Sequence, residues 1–400
     1  MKLIIVIFIS SILFFLYFLK RNKLSNILLT TFTLMWVAVL STIVLFNNAA
    51  LQFMTLTGLF IIFAHIFMVI CGVLFFLFRK SFQNKAKDYF IKIPIKTLYF
   101  LLLLLSFIGI YTLLSHINLK DAILNNELAN LRGDMLSKEV EIPIQATVFM
   151  NFLYPFAIIT PIFSFLINKR KHYLFLSFLI FGLFSLSSGG KGGIVILTIL
   201  MFGAIIFLIK HKLIKIDKTI KYVTAFLVFL IFAFMTYINS TRSFDNEKSN
   251  VFVTYLSNSV PSFCQLLIQK DWSLLDFNFN DHIITRVTSG LMGSPRLWQM
   301  DKNIVYVPDG FNVFSSFADS IYSLGLIGSL VYYFFMGVLM SYANKKAKNI
   351  NKIFLFSILF LFSFYSFFVD VFYFMAGSWY CILFYFFIGI KQQKYFKNEI

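Results

Sequence analysis

Apolar residues follow one another in runs of about 20 positions, long enough for an α-helix to cross the hydrocarbon core of a bilayer, and short polar stretches separate the runs. The pattern predicts helices over 3–19, 26–46, 51–78, 97–117, 146–167, 172–188, 190–209, 222–239, 312–342, 353–370 and 374–390. Membrane-barrel strands are shorter and alternate in polarity, so these runs satisfy their backbone within helices. The fold class is an all-α polytopic membrane protein of about 11 transmembrane helices, read as one integral membrane domain over 1–400. Two connections are too long for tight turns. One, 118–145, is mixed in charge; the other, 240–311, holds Trp272, Trp298, Tyr255 and Phe263, which favour an ordered, partly helical extracytoplasmic subdomain.

Composition agrees: 59% of residues are hydrophobic and 13% charged, whereas ordinary soluble domains are about a quarter charged. A net charge of +18 would point to nucleic acid in a soluble protein. Here most of the 35 basic residues fall in alternate short connections, at Lys20–Lys23, Arg79–Lys96, Lys169–Lys171, Lys210–Lys221, Lys345–Lys352 and Lys391–Lys397, with only Asp88, Asp217 and Glu399 as acids beside them. The positive-inside rule makes that side cytoplasmic. The N-terminus is then outside, the C-terminus inside, and no nucleic-acid partner is expected. The first run is kept as a helix, because no small-residue cleavage site follows it and Lys20 to Lys23 anchor its far end.

Candidate chemistry is sparse. No zinc spacing, Walker loop, dinucleotide fingerprint or nucleophile elbow occurs, so neither a metal nor a cofactor is expected. Of Cys71, Cys264 and Cys381, only Cys264 falls outside the runs, which leaves no disulfide across the outer face. Ser187-Ser188-Gly189-Gly190-Lys191-Gly192-Gly193 opens a helix. It reads either as an anion site, where free amides, the helix dipole and the Lys191 charge converge, or as a tight hairpin with a snorkelling lysine. The long loop carries Arg242, Arg286 and Arg296, suited to gripping phosphate bidentately or to pairing with Asp245, Asp281 and Asp301. Asp319 is placed about two turns into an apolar run with Tyr322 on the same face; an intramembrane carboxylate is a functional hypothesis by default, a solvated helix cap the alternative. Gly325 and Gly328 read as close-packing positions, and His65 as a hydrogen-bonded packing histidine.

With the Gly-Lys-Gly helix opening at Lys191, the long outer loop, and Asn312 leading to Asp319-Ser320-Ile321-Tyr322-Ser323-Leu324-Gly325-Leu326-Ile327-Gly328, the chain resembles the O-antigen polymerase family of oligosaccharide repeat-unit polymerases. The resemblance covers most of the chain. It implies a fold similar to the GT-C-like fold of glycan polymerases and ligases, located in the cytoplasmic (inner) membrane. It further implies transfer of a growing glycan from an undecaprenyl-pyrophosphate carrier onto a lipid-linked repeat unit at the outer face, with a chain-length regulator as a further partner. The expected roles are pyrophosphate binding by Lys191, Arg242, Arg286 and Arg296, glycan stacking by Trp272, Trp298 and Tyr322, and a general base at Asp319 or His282. Family members often carry arginine at the Lys191 position. The related O-antigen ligases carry a His-Asn pair where this chain has Phe311-Asn312. A ligase and a lipid-linked glycan flippase are the alternatives; the flippase predicts repeated halves and interrupted helices, and no repeat is visible in the sequence.

Overall fold

The computed structural model describes residues 1–22, 26–46, 49–78, 91–117, 143–170, 172–187, 192–215, 251–275, 305–306, 310–311, 315–345, 349–368 and 370–391. Its helices are α1 (Lys2–Arg21), α2 (Ile27–Phe46), α3 (Leu56–Phe78), α4 (Ile95–Leu114), α5 (Ile144–Met150), α6 (Leu153–Ile162), α7 (His172–Ser187), α8 (Gly192–Lys210), α9 (Val251–Gln269), α10 (Ser316–Asn344), α11 (Lys352–Tyr365), α12 (Val371–Phe374) and α13 (Ala376–Phe387). The strands are β1 (Ile91–Pro94), β2 (Val305–Tyr306), β3 (Gly310–Phe311) and β4 (Ile388–Lys391). Among the described residues, seven helical stretches are long and apolar enough to cross a membrane: α1 to α4, Ile144–Ile167, Gly193–Lys210 and α10. Helices α7, α11 and α13 are apolar but shorter. The chain is a helical membrane protein. Every predicted run meets an observed helix except 222–239, which lies outside the described residues, as does most of 118–145.

Several boundaries depart from expectation for local reasons. The run at 146–167 is divided: Pro155 occupies the first turn of α6, where its missing N–H costs nothing, and Pro161 precedes a π-helical turn over Phe163–Ile167. The ninth run begins at Ser316 rather than 312, because Gly310 and Phe311 pair with Tyr306 and Val305. The last helix ends at Phe387, and 388–391 form a parallel strand with Ile91–Pro94. Within the long 240–311 connection, α9 supplies the expected helical part.

The chain divides into two units. Unit 1 comprises Met1–Asn84, Lys248–Lys345 and Phe362–Ala376. Its α1 buries only Ile5, Ile12 and Leu19, one position every two turns, and exposes Leu3, Phe14, Tyr17 and Phe18. That is the narrow seam of a helix packed along one line. Helices α3 and α10 approach at glycines: a Cβ on Gly72 would collide with the Phe334 carbonyl, and one on Gly337 with the Val69 carbonyl. Close backbone approach at small residues is the usual means of association where burial from lipid supplies little drive. Helix α9 lies against α2 and α3, with Gln265 Nε2 donating to Phe53 O at 2.7 Å and buried Cys264 against Gly58.

Unit 2 comprises Lys85–Glu247, Lys346–Leu361 and Gly377–Ile400. The β1–β4 pairing brings the start of α4 and the end of α13 together. Asn351, just before α11, donates its amide to Ile388 O and accepts from Ile390 N at 2.9 Å. Lys210, closing α8, sits 5.5 Å over the Phe356 ring in the first turns of α11. Tyr99 stacks on Phe163 at 4.0 Å, and both meet Tyr173, so the ends flanking Lys169 and Arg170 share this region. The start of α4, the end of α8, the start of α11 and the end of α13 therefore lie at one end of unit 2.

Candidate functional site

The site lies in unit 1, around the first half of α10. Residues 316–344 form two helices in one run: Gly325 adopts φ 70° and ψ 172°, outside any helical conformation. A side chain is disfavoured there, and glycine is nearly alone in that backbone region. Breaking a helix frees amides at the start of its second half. The segment following α9 accepts them, Leu326 N donating to Ser273 O and Ile327 N to Leu274 O, each at 3.0 Å. Gly325 is thus a break in the helical backbone rather than the packing position expected of it; the close packing falls to Gly337 and Gly72.

The first half of α10 is short, buried and polar along much of its length: Ser316, Asp319, Ser320 and Ser323 are all buried. Asp319 stands in the first turn, one turn earlier than expected, and is 5% exposed, so it is not a solvated cap. A carboxylate there faces the positive end of the helix dipole. Its Oδ2 accepts the main-chain N–H of Asp370 at 3.1 Å. Asp370 is also fully buried. Its Oδ1 accepts from Phe372 N at 2.8 Å, capping α12, and its Oδ2 accepts from the Tyr332 hydroxyl at 2.9 Å.

A second set of bonds closes over the break. His65, buried in α3, places Nδ1 2.7 Å from Ile61 O and Nε2 2.6 Å from Ser329 Oγ. A carbonyl only accepts, so Nδ1 carries the proton, and in the neutral ring Nε2 accepts the Ser329 hydroxyl. Ser329 Oγ lies 2.6 Å from Ser320 Oγ, which is also 3.0 Å from Phe317 O. Ser320 precedes Gly325 and Ser329 follows it, so the imidazole ties both halves of α10 to α3. Nearby, the Tyr333 hydroxyl donates to Ser316 Oγ at 2.6 Å, Trp36 Nε1 to Ser366 Oγ at 3.0 Å, and Ser316 N to Ser366 O at 3.0 Å. Phe317 packs between Trp36 at 4.8 Å, His65 at 4.6 Å and Tyr333 at 4.8 Å. Buried polar groups with their partners in place make a rigid site.

Of the residues to which the resemblance gives a site role, Asp319, Tyr322 and Trp272 are described. Tyr322 donates its hydroxyl to Leu266 O at 3.2 Å, and the Lys270 ammonium lies 5.5 Å over its ring. Trp272, half-buried, lies in the segment that meets α10 through Lys270, Ser273 O and Leu274 O. His282, Lys191, Arg242, Arg286, Arg296 and Trp298 lie outside the described residues. Helix α8 does begin directly after Lys191, with Ile194 N donating to Ser185 Oγ at 2.7 Å. Asp370, Tyr332, Ser329 and Ser320 had not been singled out. Asp370 carried the same signal as Asp319, an acid inside the apolar stretch Phe367-Phe368-Val369-Asp370-Val371-Phe372.

Comparison with protein-family models, curated proteins and solved structures yields no match.

Proposed function

We propose that the chain polymerises undecaprenyl-pyrophosphate-linked oligosaccharide repeat units at the outer face of the cytoplasmic membrane, making an O-antigen or similar surface polysaccharide. The observation that carries the reading is Asp319: a buried carboxylate that accepts a main-chain amide inside a membrane protein, on the same helix half as Tyr322. Glycosyl transfer from a pyrophosphate needs a base near the acceptor hydroxyl, cations facing the departing oxygens and surfaces on which sugar rings stack. Asp319 is the base in this reading, and Trp272 and Tyr322 serve the sugars. Lys191, Arg242, Arg286, Arg296 and Trp298 complete the site, and a chain-length regulator is the protein partner. The fold belongs with the GT-C-like architecture, with about 11 spans, the N-terminus outside and the C-terminus cytoplasmic.

One observation favours a second reading, a flippase for the same lipid-linked glycan. Helix α10 is interrupted at Gly325 beside a buried carboxylate and a buried histidine, and interrupted helices are the mark of transporter sites. Deletion followed by electrophoresis of the surface glycolipid separates the two. A polymerase mutant leaves a single repeat on the lipid core; loss of a flippase, or of an O-antigen ligase, leaves none. Long-chain glycan unchanged in the deletion strain would overturn all three.

A further inference from the structure

We propose that Asp370 is a positioning residue that aims Asp319. The inference rests on the polymerase reading above, in which the acceptor hydroxyl oxygen bonds to the donor's anomeric carbon as the bond from that carbon to the pyrophosphate oxygen breaks. The hydroxyl proton passes to Asp319, and the bonding electron pair leaves with the pyrophosphate.

A base contributes only when its oxygen is held close to the productive geometry. Asp319 stands on a helix half of nine residues, 316–324, that ends at a break. Its Oδ2 accepts the Asp370 N–H at 3.1 Å. That amide is fixed by the Asp370 side chain: Oδ1 is occupied by Phe372 N at 2.8 Å and Oδ2 by the Tyr332 hydroxyl at 2.9 Å. Asp370 thus acts through its backbone while its carboxylate locks the turn. Tyr332 belongs to the second half of α10 and Asp319 to the first, so the turn at 370 bridges the break. A residue that merely capped α12 would have no such link to Asp319.

The test uses purified full-length protein in liposomes, given a synthetic lipid-pyrophosphate-linked repeat unit, with polymer read on gels. Asp370→Ala removes both acceptors and is expected to lower kcat roughly tenfold with donor KM within about twofold of wild type. Asp370→Asn keeps an oxygen for Phe372 N and turns an amide toward Tyr332, whose oxygen accepts from it; most of kcat should return. Tyr332→Phe deletes one hydroxyl, keeps the fold, and should show the same split in milder form. The double variant Asp319→Asn, Asp370→Ala should be no slower than Asp319→Asn alone, since Asp370 acts only through Asp319. Losses that multiply in the double variant, or wild-type kcat in both Asp370→Ala and Tyr332→Phe, would overturn the proposal while leaving the polymerase reading intact. Wild-type protein that makes no polymer overturns that reading, and the inference with it.

Discussion

Gly72 and Gly337 face each other where α3 crosses α10, each lying where a Cβ would run into the other helix's main chain. The obstacles are the carbonyl groups of Phe334 and Val69, which cannot rotate aside as a side chain would. Gly72→Ala and Gly337→Ala should each destabilise the folded protein by about 1–3 kcal/mol, the range for overpacking a close-fitted interface. Thermal unfolding in detergent micelles measures this; an unchanged midpoint would mean that the two helices do not meet at these residues.

Gly325→Ala forces a side chain into φ 70°, ψ 172°, and should cost about 1–3 kcal/mol through backbone strain alone. Gly182→Ala in α7 is the contrast. Among the described residues a Cβ there meets only Ile194 Cδ1 at 3.9 Å, so the variant should gain up to about 1 kcal/mol from helix propensity. Opposite shifts in unfolding midpoint are expected, and equal shifts would contradict the broken helix.

Removing either end of the bridge over that break should be felt at the other. His65→Ala leaves the buried Ser329 hydroxyl without its imidazole partner, and Ser329→Ala strips Nε2 of its donor. Each should cost about 1–3 kcal/mol, the penalty for stranding a buried polar group. Because one bond is lost in both, the double variant should fall short of the summed losses by at least about 0.5 kcal/mol. Additive losses in the unfolding cycle would dissolve the bridge.

Cys264 should stay dark to an impermeant maleimide. Its side chain is buried against Gly58, and burial pushes the thiol up, outweighing the bonds to Thr55 that lower it. The reactive thiolate is therefore scarcer at pH of about 8 than for an ordinary cysteine titrating near 8.5, and raising the pH within that range should not unmask it. Labelling is expected only after denaturation in SDS. Lys270→Cys, in a chain without the native cysteines, is exposed and should label in intact spheroplasts, whereas Lys212→Cys, likewise exposed, should label only after lysis. The reverse pattern would invert the proposed topology. Ser257, also within 240–311, is 1% exposed and would not serve as a labelling site.

Local chemistry alone determined much of this protein. The apolar runs located the helices to within a few residues, since a lipid-facing helix must carry apolar side chains over its whole length. The same rule drew attention to Asp319, whose charge is out of place in such a run. Tertiary structure decided what hydropathy does not encode. Gly325 and Gly337 look alike in the sequence, yet one breaks α10 and the other seats it on α3, because a glycine's role depends on whether a strand of neighbouring backbone or an opposing helix lies beside it. Residues 388–390 continue the apolar run of the helix before them, but pairing of 388–391 with 91–94 draws them into a strand. The bonds from Asp370 to Asp319 and from His65 to Ser329 join positions far apart in the chain, and long-range partners of that kind are chosen by packing, not by any periodicity along the sequence.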